Sequence, residues 1–121
     1  MKNAEELLRT SVWGPSLTTE EMTKALAGTF ERSFAPGAFI CMKGEPVDYW
    51  MGIIDGLGKM ASHWNTGKTT SLTGISTGGW FGEGSLLKSE PRRYDVMALR
   101  ESRVAFMSRA TFLWLLDHSI P

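Results

Sequence analysis

Turn-forming residues recur along most of this chain at intervals of roughly eight to twelve residues, and this spacing restricts the possible folds more than any other feature. After Thr29, glycine, proline, asparagine and aspartate cluster at residues 36–37, 44–46, 55–56, 65–67 and 78–79. The runs between these clusters are short and rich in β-branched, aromatic and methionine side chains. Evenly spaced short strands of this kind are typical of barrels and sandwiches. The sequence therefore predicts a mainly β roll over about residues 29–107.

A short helix is expected on each side of this roll. The side chain of Thr18 can accept a hydrogen bond from the amide of Glu21, and the Glu21 side chain can accept one from the amide of Thr18. This capping box predicts a helix over about residues 18–27. Ser108 is a natural N-cap for a second helix over about residues 109–117.

Charge and length restrict the classes of function. The 121 residues include 13 basic and 13 acidic side chains, and 42% of the chain is hydrophobic. This size and composition fit one globular domain covering residues 1–121. The neutral balance argues against general electrostatic attraction to nucleic acid or to an anionic membrane, and no apolar run approaches the roughly 18 residues of a membrane span. We expect a soluble, cytoplasmic domain that binds neither nucleic acid nor membrane directly.

Soft metal ligands are scarce. Cys41 is the only cysteine, and His63 and His118 are the only histidines. This set is too small for a closed zinc site or an iron–sulfur cluster, so we expect no cofactor of either kind. Cys41 is expected to be a small buried hydrophobe, and both histidines are expected on the surface.

The glycine-rich segment 78–92 carries the most chemical information. Gly82 and Gly84 allow the backbone to turn tightly and to approach a ligand closely. Ser85 and Leu86 are expected to begin a short helical turn, whose free amides can bind an anion.

Two charged side chains complete this segment. Arg92 carries a fixed positive charge on a planar fork that suits phosphate oxygens. Glu83 is an acceptor-only carboxylate and suits a sugar hydroxyl. Taken alone, the two could also form a structural ion pair on the surface.

The order of these residues resembles the phosphate-binding cassette of cyclic-nucleotide-binding domains. That cassette consists of an apolar residue, Gly, Glu, any residue, a small residue and an aliphatic residue, followed after a variable stretch by Arg. The matching residues here are Phe81, Gly82, Glu83, Gly84, Ser85, Leu86 and Arg92. Residues 36–56 also resemble a hairpin of the same family. The resemblance implies a double-stranded β-helix, or jelly roll, with short flanking helices.

The resemblance also implies a function. The chain is similar to the N-terminal sensor domain of a Crp/Fnr-type transcription regulator, which binds cAMP or a related phosphate-bearing effector and catalyses nothing. Glu83 would bind the ribose 2′-hydroxyl, Arg92 the cyclic phosphate, and amides near residues 82–86 would complete the site. In such regulators a long dimerisation helix and a DNA-binding domain follow, and neither lies within these 121 residues. Homodimerisation and DNA binding would then belong to a full-length protein.

The main departure from the family lies directly after the arginine. The family has a small residue and then Ala, whereas this chain has Arg93 and Tyr94. Arg93 could add a second cation to the site, or its bulk could fill the site. A different effector, or none, on the same fold therefore stays open as an alternative. A cupin-like metal enzyme is the alternative from another class, although cupin metal sites use several clustered histidines and carboxylates.

Overall fold

The computed structural model describes residues 3–63 and 70–118, and its strands form two four-stranded sheets whose paired strands are antiparallel. In the first sheet the strand order is β1-β8-β3-β6, and in the second it is β2-β7-β4-β5. The strands are β1 (Thr29–Phe34), β2 (Phe39–Cys41), β3 (Tyr49–Asp55), β4 (Leu57–His63), β5 (Thr70–Ser76), β6 (Trp80–Phe81), β7 (Tyr94–Ala98) and β8 (Ser102–Ser108). The predicted mainly β jelly roll is confirmed. The turn predicted at residues 65–67 lies outside the described residues.

Helices precede, interrupt and follow the strands. They are α1 (Ala4–Thr10), α2 (Thr19–Ala27), α3 (Glu83–Lys88) and α4 (Arg109–His118), with a 3-10 turn at Gly14–Ser16. The expected capping box is present at α2: Thr18 Oγ1 accepts from the Glu21 amide at 3.1 Å, and Glu21 Oε1 accepts from the Thr18 amide at 2.8 Å. At α4, Ser108 Oγ accepts from the Thr111 amide at 3.2 Å. Local hydrogen bonding therefore sets where both flanking helices begin.

The strand β3 is buried on both of its faces. One face packs between the two sheets, and the other packs beneath the N-terminal helices, so residues 50–54 are all buried. Gly52 makes this double burial possible, because a Cβ there would lie 2.8 Å from the ring of Trp80 and 2.9 Å from Leu7 Cδ2.

The apolar cluster beneath the helices also ties α3 to α4. It contains Leu86 from α3 together with Phe112 and Leu115 from α4. The Ser89 hydroxyl, at the end of α3, accepts a hydrogen bond from Arg109 Nη2 at the start of α4. The segment that contains the cassette is therefore attached to the C-terminal helix by packing and by a polar contact.

The expectations for isolated side chains have mixed outcomes. Cys41 is buried between the sheets, as expected, and burial raises its pKa to about 11. His118 is exposed, as expected, but it is the last residue of α4 rather than a residue beyond the helix. The side chain of His63 lies outside the described residues.

Candidate ligand-binding site

The cassette residues lie at the end of β6 and along α3. Gly82 is the N-cap of α3 and has a φ of +99°, a conformation that strongly favours glycine. A Cβ at this position would also lie 2.6 Å from Arg92 Nη1. The helix begins at Glu83 rather than at Ser85. The tight turn expected at Gly84 is wrong, because Gly84 lies inside α3 with open space around its Cα.

Arg92 is buried, with only 4% of its surface exposed. Its backbone is fixed to the β2–β3 connection, since its amide donates to the Glu45 carbonyl and its carbonyl accepts from the Gly44 amide, both at 2.8 Å. Its Nη1 donates to the Tyr94 hydroxyl at 3.3 Å, and the guanidinium carbon lies 5.6 Å from the centroid of the Tyr94 ring. Within the described part of the chain, Arg92 Nε has no hydrogen-bond partner and the guanidinium forms no ion pair.

Glu83 is exposed, and its carboxylate has no hydrogen-bond or ion-pair partner among residues 3–63 and 70–118. The structural ion pair between Glu83 and Arg92, which the residue types alone allowed, is not formed. Neither charge is therefore offset by an ion-pair partner among the described residues.

An open pocket of about 480 Å³ lies against α3 and β7. Of the eight residues predicted for the site, six line it: Phe81, Gly82, Glu83, Gly84, Ser85 and Arg93. Leu86 does not, because its side chain is in the apolar cluster shared with α4 and its amide donates to the Gly82 carbonyl at 3.1 Å. Arg92 does not line the pocket either, and its guanidinium meets Tyr94 instead.

Arg93 lies at the edge of this pocket. Its Nη2 pairs with Glu90 Oε2 at 2.8 Å, and 69% of its side chain is exposed. Of the two possibilities considered for Arg93, filling the site is wrong, since the side chain lies at the rim. Its charge is shared with Glu90 and with solvent, so it adds little to the field inside the pocket.

Tyr94 lies at the pocket although the sequence did not predict it as a site residue. It lines the pocket as the first residue of β7, and it is half-buried. Burial raises the pKa of its hydroxyl above the ordinary value, and the neighbouring Arg92 opposes part of this shift. The hydroxyl is therefore protonated at neutral pH. The available signal was a bulky aromatic residue where the resembling family has Ala.

The described residues include no group of three or more His, Cys, Asp or Glu side chains able to hold a metal ion. Within the same residues, no helix has both the length and the apolar character needed to cross a membrane.

Comparison with known protein families identifies the family to which this chain belongs. A sequence model of the cyclic nucleotide-binding domain matches residues 31–119. The chain belongs to the cyclic nucleotide-binding domain family. This confirms the resemblance predicted from the cassette, and the family is one of ligand-binding regulatory domains. A search of curated protein sequences found no significant match.

Solved structures of sensor and regulatory proteins share the fold. A candidate cyclic nucleotide binding protein from Ruegeria pomeroyi superimposes with a TM-score of 0.79 at 22% identity, over 95% of this chain and 51% of that one. The sensor domain of the transcriptional regulator DNR from Pseudomonas aeruginosa gives 0.83 at 18% identity, over 97% and 79%. The regulatory domain of protein kinase A from Toxoplasma gondii, crystallised with cAMP, gives 0.83 at 24% identity, over 93% and 43%.

These likenesses establish the cyclic-nucleotide-binding fold and nothing finer, because all three identities are low. The chain spans about half the length of the Ruegeria pomeroyi protein (51%). What the longer proteins bind or regulate therefore reaches this chain only as a proposal.

Proposed function

We propose that this chain is the cytoplasmic sensor domain of a Crp/Fnr-type transcription regulator, and that it binds cAMP or a related cyclic nucleotide without catalysing a reaction. The single domain would cover residues 1–121, and the ligand would bind at the pocket between α3 and β7. The observation that carries the proposal is the burial of Arg92, a guanidinium with no ion-pair partner among the described residues.

A buried cation without a counterion is expensive. Desolvating a charge costs several kcal/mol unless an opposite charge offsets it. Arg92 is 4% exposed, and none of the described carboxylates pairs with it. An anionic ligand would supply the missing charge, and a cyclic phosphate is an anion of suitable size. Binding would thus offset the desolvation cost of Arg92, and this would contribute to the affinity.

The surroundings of Arg92 favour an anion at the same place. The Gly82 N-cap offers no side-chain acceptor to the first amides of α3, and Arg92 Nη1 lies close to Gly82. The amides contribute partial positive charge and Arg92 contributes a full positive charge, both at the same corner of the pocket. Glu83, whose carboxylate has no partner within residues 3–63 and 70–118, would accept hydrogen bonds from the ribose.

The contacts of α3 suggest how binding would be transmitted. Leu86 shares an apolar cluster with Phe112 and Leu115 of α4, and Ser89 is hydrogen-bonded to Arg109. A ligand that stabilises one position of α3 would therefore bias the position of α4. Dimerisation and DNA binding would be functions of segments attached to this domain in a longer protein.

Isothermal titration with cAMP and cGMP tests the proposal. We expect the wild-type domain to bind at least one of them, and Glu83→Gln to lower the affinity about tenfold through the lost ribose contact. Glu83 is exposed, so this variant should fold normally. Glu101→Gln is the matched control, since Glu101 is also exposed and lies in the turn between β7 and β8. A wild-type domain that binds neither nucleotide would overturn the proposal.

A different effector on the same fold is the second candidate, and the position of Tyr94 favours it. The Tyr94 ring lines the pocket where a small residue was expected from the family. Melting curves with a panel of phosphate-bearing metabolites would identify such an effector, because a ligand at one hundred times its dissociation constant adds about 2.7 kcal/mol to stability. Stabilisation by a metabolite other than a cyclic nucleotide would select this candidate.

A further inference from the structure

We propose that Tyr94 is itself a ligand-binding residue, whose hydroxyl donates a hydrogen bond to the anionic group of the effector while Arg92 supports it from behind. This inference rests on the proposed function, because it assigns the phosphate contact within the same site. It changes the role of Arg92 from a direct phosphate ligand to a positioning residue.

The arrangement of the two side chains is the first observation. Tyr94 lines the pocket, whereas Arg92 does not and is 4% exposed. Arg92 Nη1 donates to the Tyr94 hydroxyl at 3.3 Å. The guanidinium therefore meets the wall of the pocket at Tyr94, and its Nη1 also lies close to Gly82.

The hydrogen-bond inventory of the phenol is the second observation. A tyrosine hydroxyl has one proton to donate and can also accept. Arg92 uses the accepting side, and the proton has no acceptor among the residues that the structure describes. The cation behind the oxygen repels this proton, so the O–H bond is expected to point away from Arg92. One donor is therefore left without a partner beside the pocket.

Arg92 also strengthens this donor. A hydroxyl that accepts a hydrogen bond from a cation becomes a better donor to the next group in the chain. Burial keeps the Tyr94 pKa above its ordinary value, so the proton is present at neutral pH. The guanidinium, the phenol and an anionic oxygen would then form a short chain of hydrogen bonds.

The proposal has a consequence for selectivity. A small residue at position 94 would leave the Arg92 fork to face the ligand and to bind two oxygens at once. With Tyr94 in between, the Arg92 fork is replaced by one hydrogen bond from a neutral donor to one anionic oxygen. This contact suits a singly charged phosphodiester better than a doubly charged phosphate monoester, for which 5′-AMP is the convenient comparison ligand.

Titration of wild-type, Tyr94→Phe and Tyr49→Phe proteins with cAMP, cGMP and inorganic phosphate tests the assignment. Tyr94→Phe keeps the ring against Arg92 and removes only the hydroxyl, and we expect affinity to fall about tenfold or more. Tyr49 is the other of the two tyrosines, and its ring packs on Phe30 and Phe106. Tyr49→Phe should therefore bind like the wild type.

The possible outcomes separate this inference from the proposed function. If the wild type binds and Tyr94→Phe binds equally well, the role of Tyr94 is overturned and the proposed function stands. Tighter binding by Tyr94→Phe also overturns it, since the hydroxyl would then compete with the ligand for Arg92. If the wild type binds neither cAMP nor cGMP, the proposed function fails and the inference fails with it, whether or not inorganic phosphate binds.

A double-mutant cycle tests the supporting role of Arg92. If Arg92 acts through the phenol, adding Tyr94→Phe to Arg92→Lys should lower affinity by clearly less than it does in the wild type. Equal reductions in both backgrounds would mean that the two side chains act independently, and would overturn the positioning role.

Discussion

Two regions of the described structure bury polar atoms that have no hydrogen-bond partner, and they differ in charge. In the first region, Trp50 and Trp80 each leave an indole N–H unpaired. In the second, beside the pocket, the unpaired atom is Arg92 Nε.

The tryptophan region compensates for its unpaired groups by packing. The rings of Trp50 and Trp80 stack with centroids 4.3 Å apart, and Trp13 and Phe112 pack on Trp50 at 5.6 and 4.9 Å. A neutral unpaired N–H costs about 1–3 kcal/mol, which aromatic contacts of this extent can offset. An unpaired guanidinium costs more, and one tyrosine hydroxyl cannot neutralise it. The unpaired indole groups are compatible with a purely structural role. The unpaired guanidinium of Arg92 is better explained by an anionic ligand that the proposed function supplies.

The largest expected effect comes from truncating the tryptophan region. Trp50→Ala should lower the free energy of unfolding by about 3–5 kcal/mol, because it removes a ring that contacts three others. Trp114→Ala serves as the comparison, since Trp114 is only partly buried on α4 and should cost less. Urea denaturation measures both. A loss below about 1 kcal/mol for Trp50→Ala would mean that packing does not offset the unpaired indole groups.

At Arg92, by contrast, we expect a substitution to increase the stability of the protein. Without ligand and in a buffer free of phosphate, Arg92→Met should raise the free energy of unfolding by about 1–2 kcal/mol, because it removes a buried charge that no described carboxylate pairs with. Arg93→Met, at the exposed neighbour, should change it by no more than about 0.5 kcal/mol. Urea denaturation of the three proteins makes the comparison. If Arg92→Met markedly destabilised the protein, the buried charge of Arg92 would not be a cost to the unliganded fold, and the two regions would not differ in this respect.

The two glycines of the cassette are expected to respond to substitution with opposite sign, and Gly84 gives the smallest effect. Gly82→Ala should cost about 1–2 kcal/mol, because its φ is +99° and the new Cβ would displace Arg92. Gly84→Ala should stabilise the protein by about 0.5–1 kcal/mol, since Gly84 lies within α3 beside open space. Thermal melting of the two variants provides the test. If both substitutions destabilise equally, Gly82 has no special role in holding Arg92.

Features with local causes could be predicted from the sequence. The capping box at Thr18 and Glu21 and the N-cap at Ser108 depend on residues at most three positions apart. The strands follow from the spacing of turn residues, which also acts locally. The family could be identified because the cassette is one continuous segment.

The orientation of side chains could not be predicted in the same way. Whether Arg92 faces the ligand or the interior depends on Tyr94 and on the hairpin residues 44–45, which fix its backbone. Whether Leu86 faces the pocket depends on the apolar cluster supplied by α4. These contacts join residues from different elements, and no local pattern specifies them. The sequence also does not predict the full extent of α3, because Gly82 at its N-cap and Gly84 in its first turn argue against a helix.

Trp80 belongs to both regions, since it stacks on Trp50 and also lines the pocket. The indole group is the principal natural fluorophore of proteins, and its emission responds to the polarity of its surroundings. An effector that enters the pocket would replace solvent beside Trp80. Ligand binding is therefore expected to change the fluorescence of Trp80, so that occupancy of the site could be followed on the unlabelled protein.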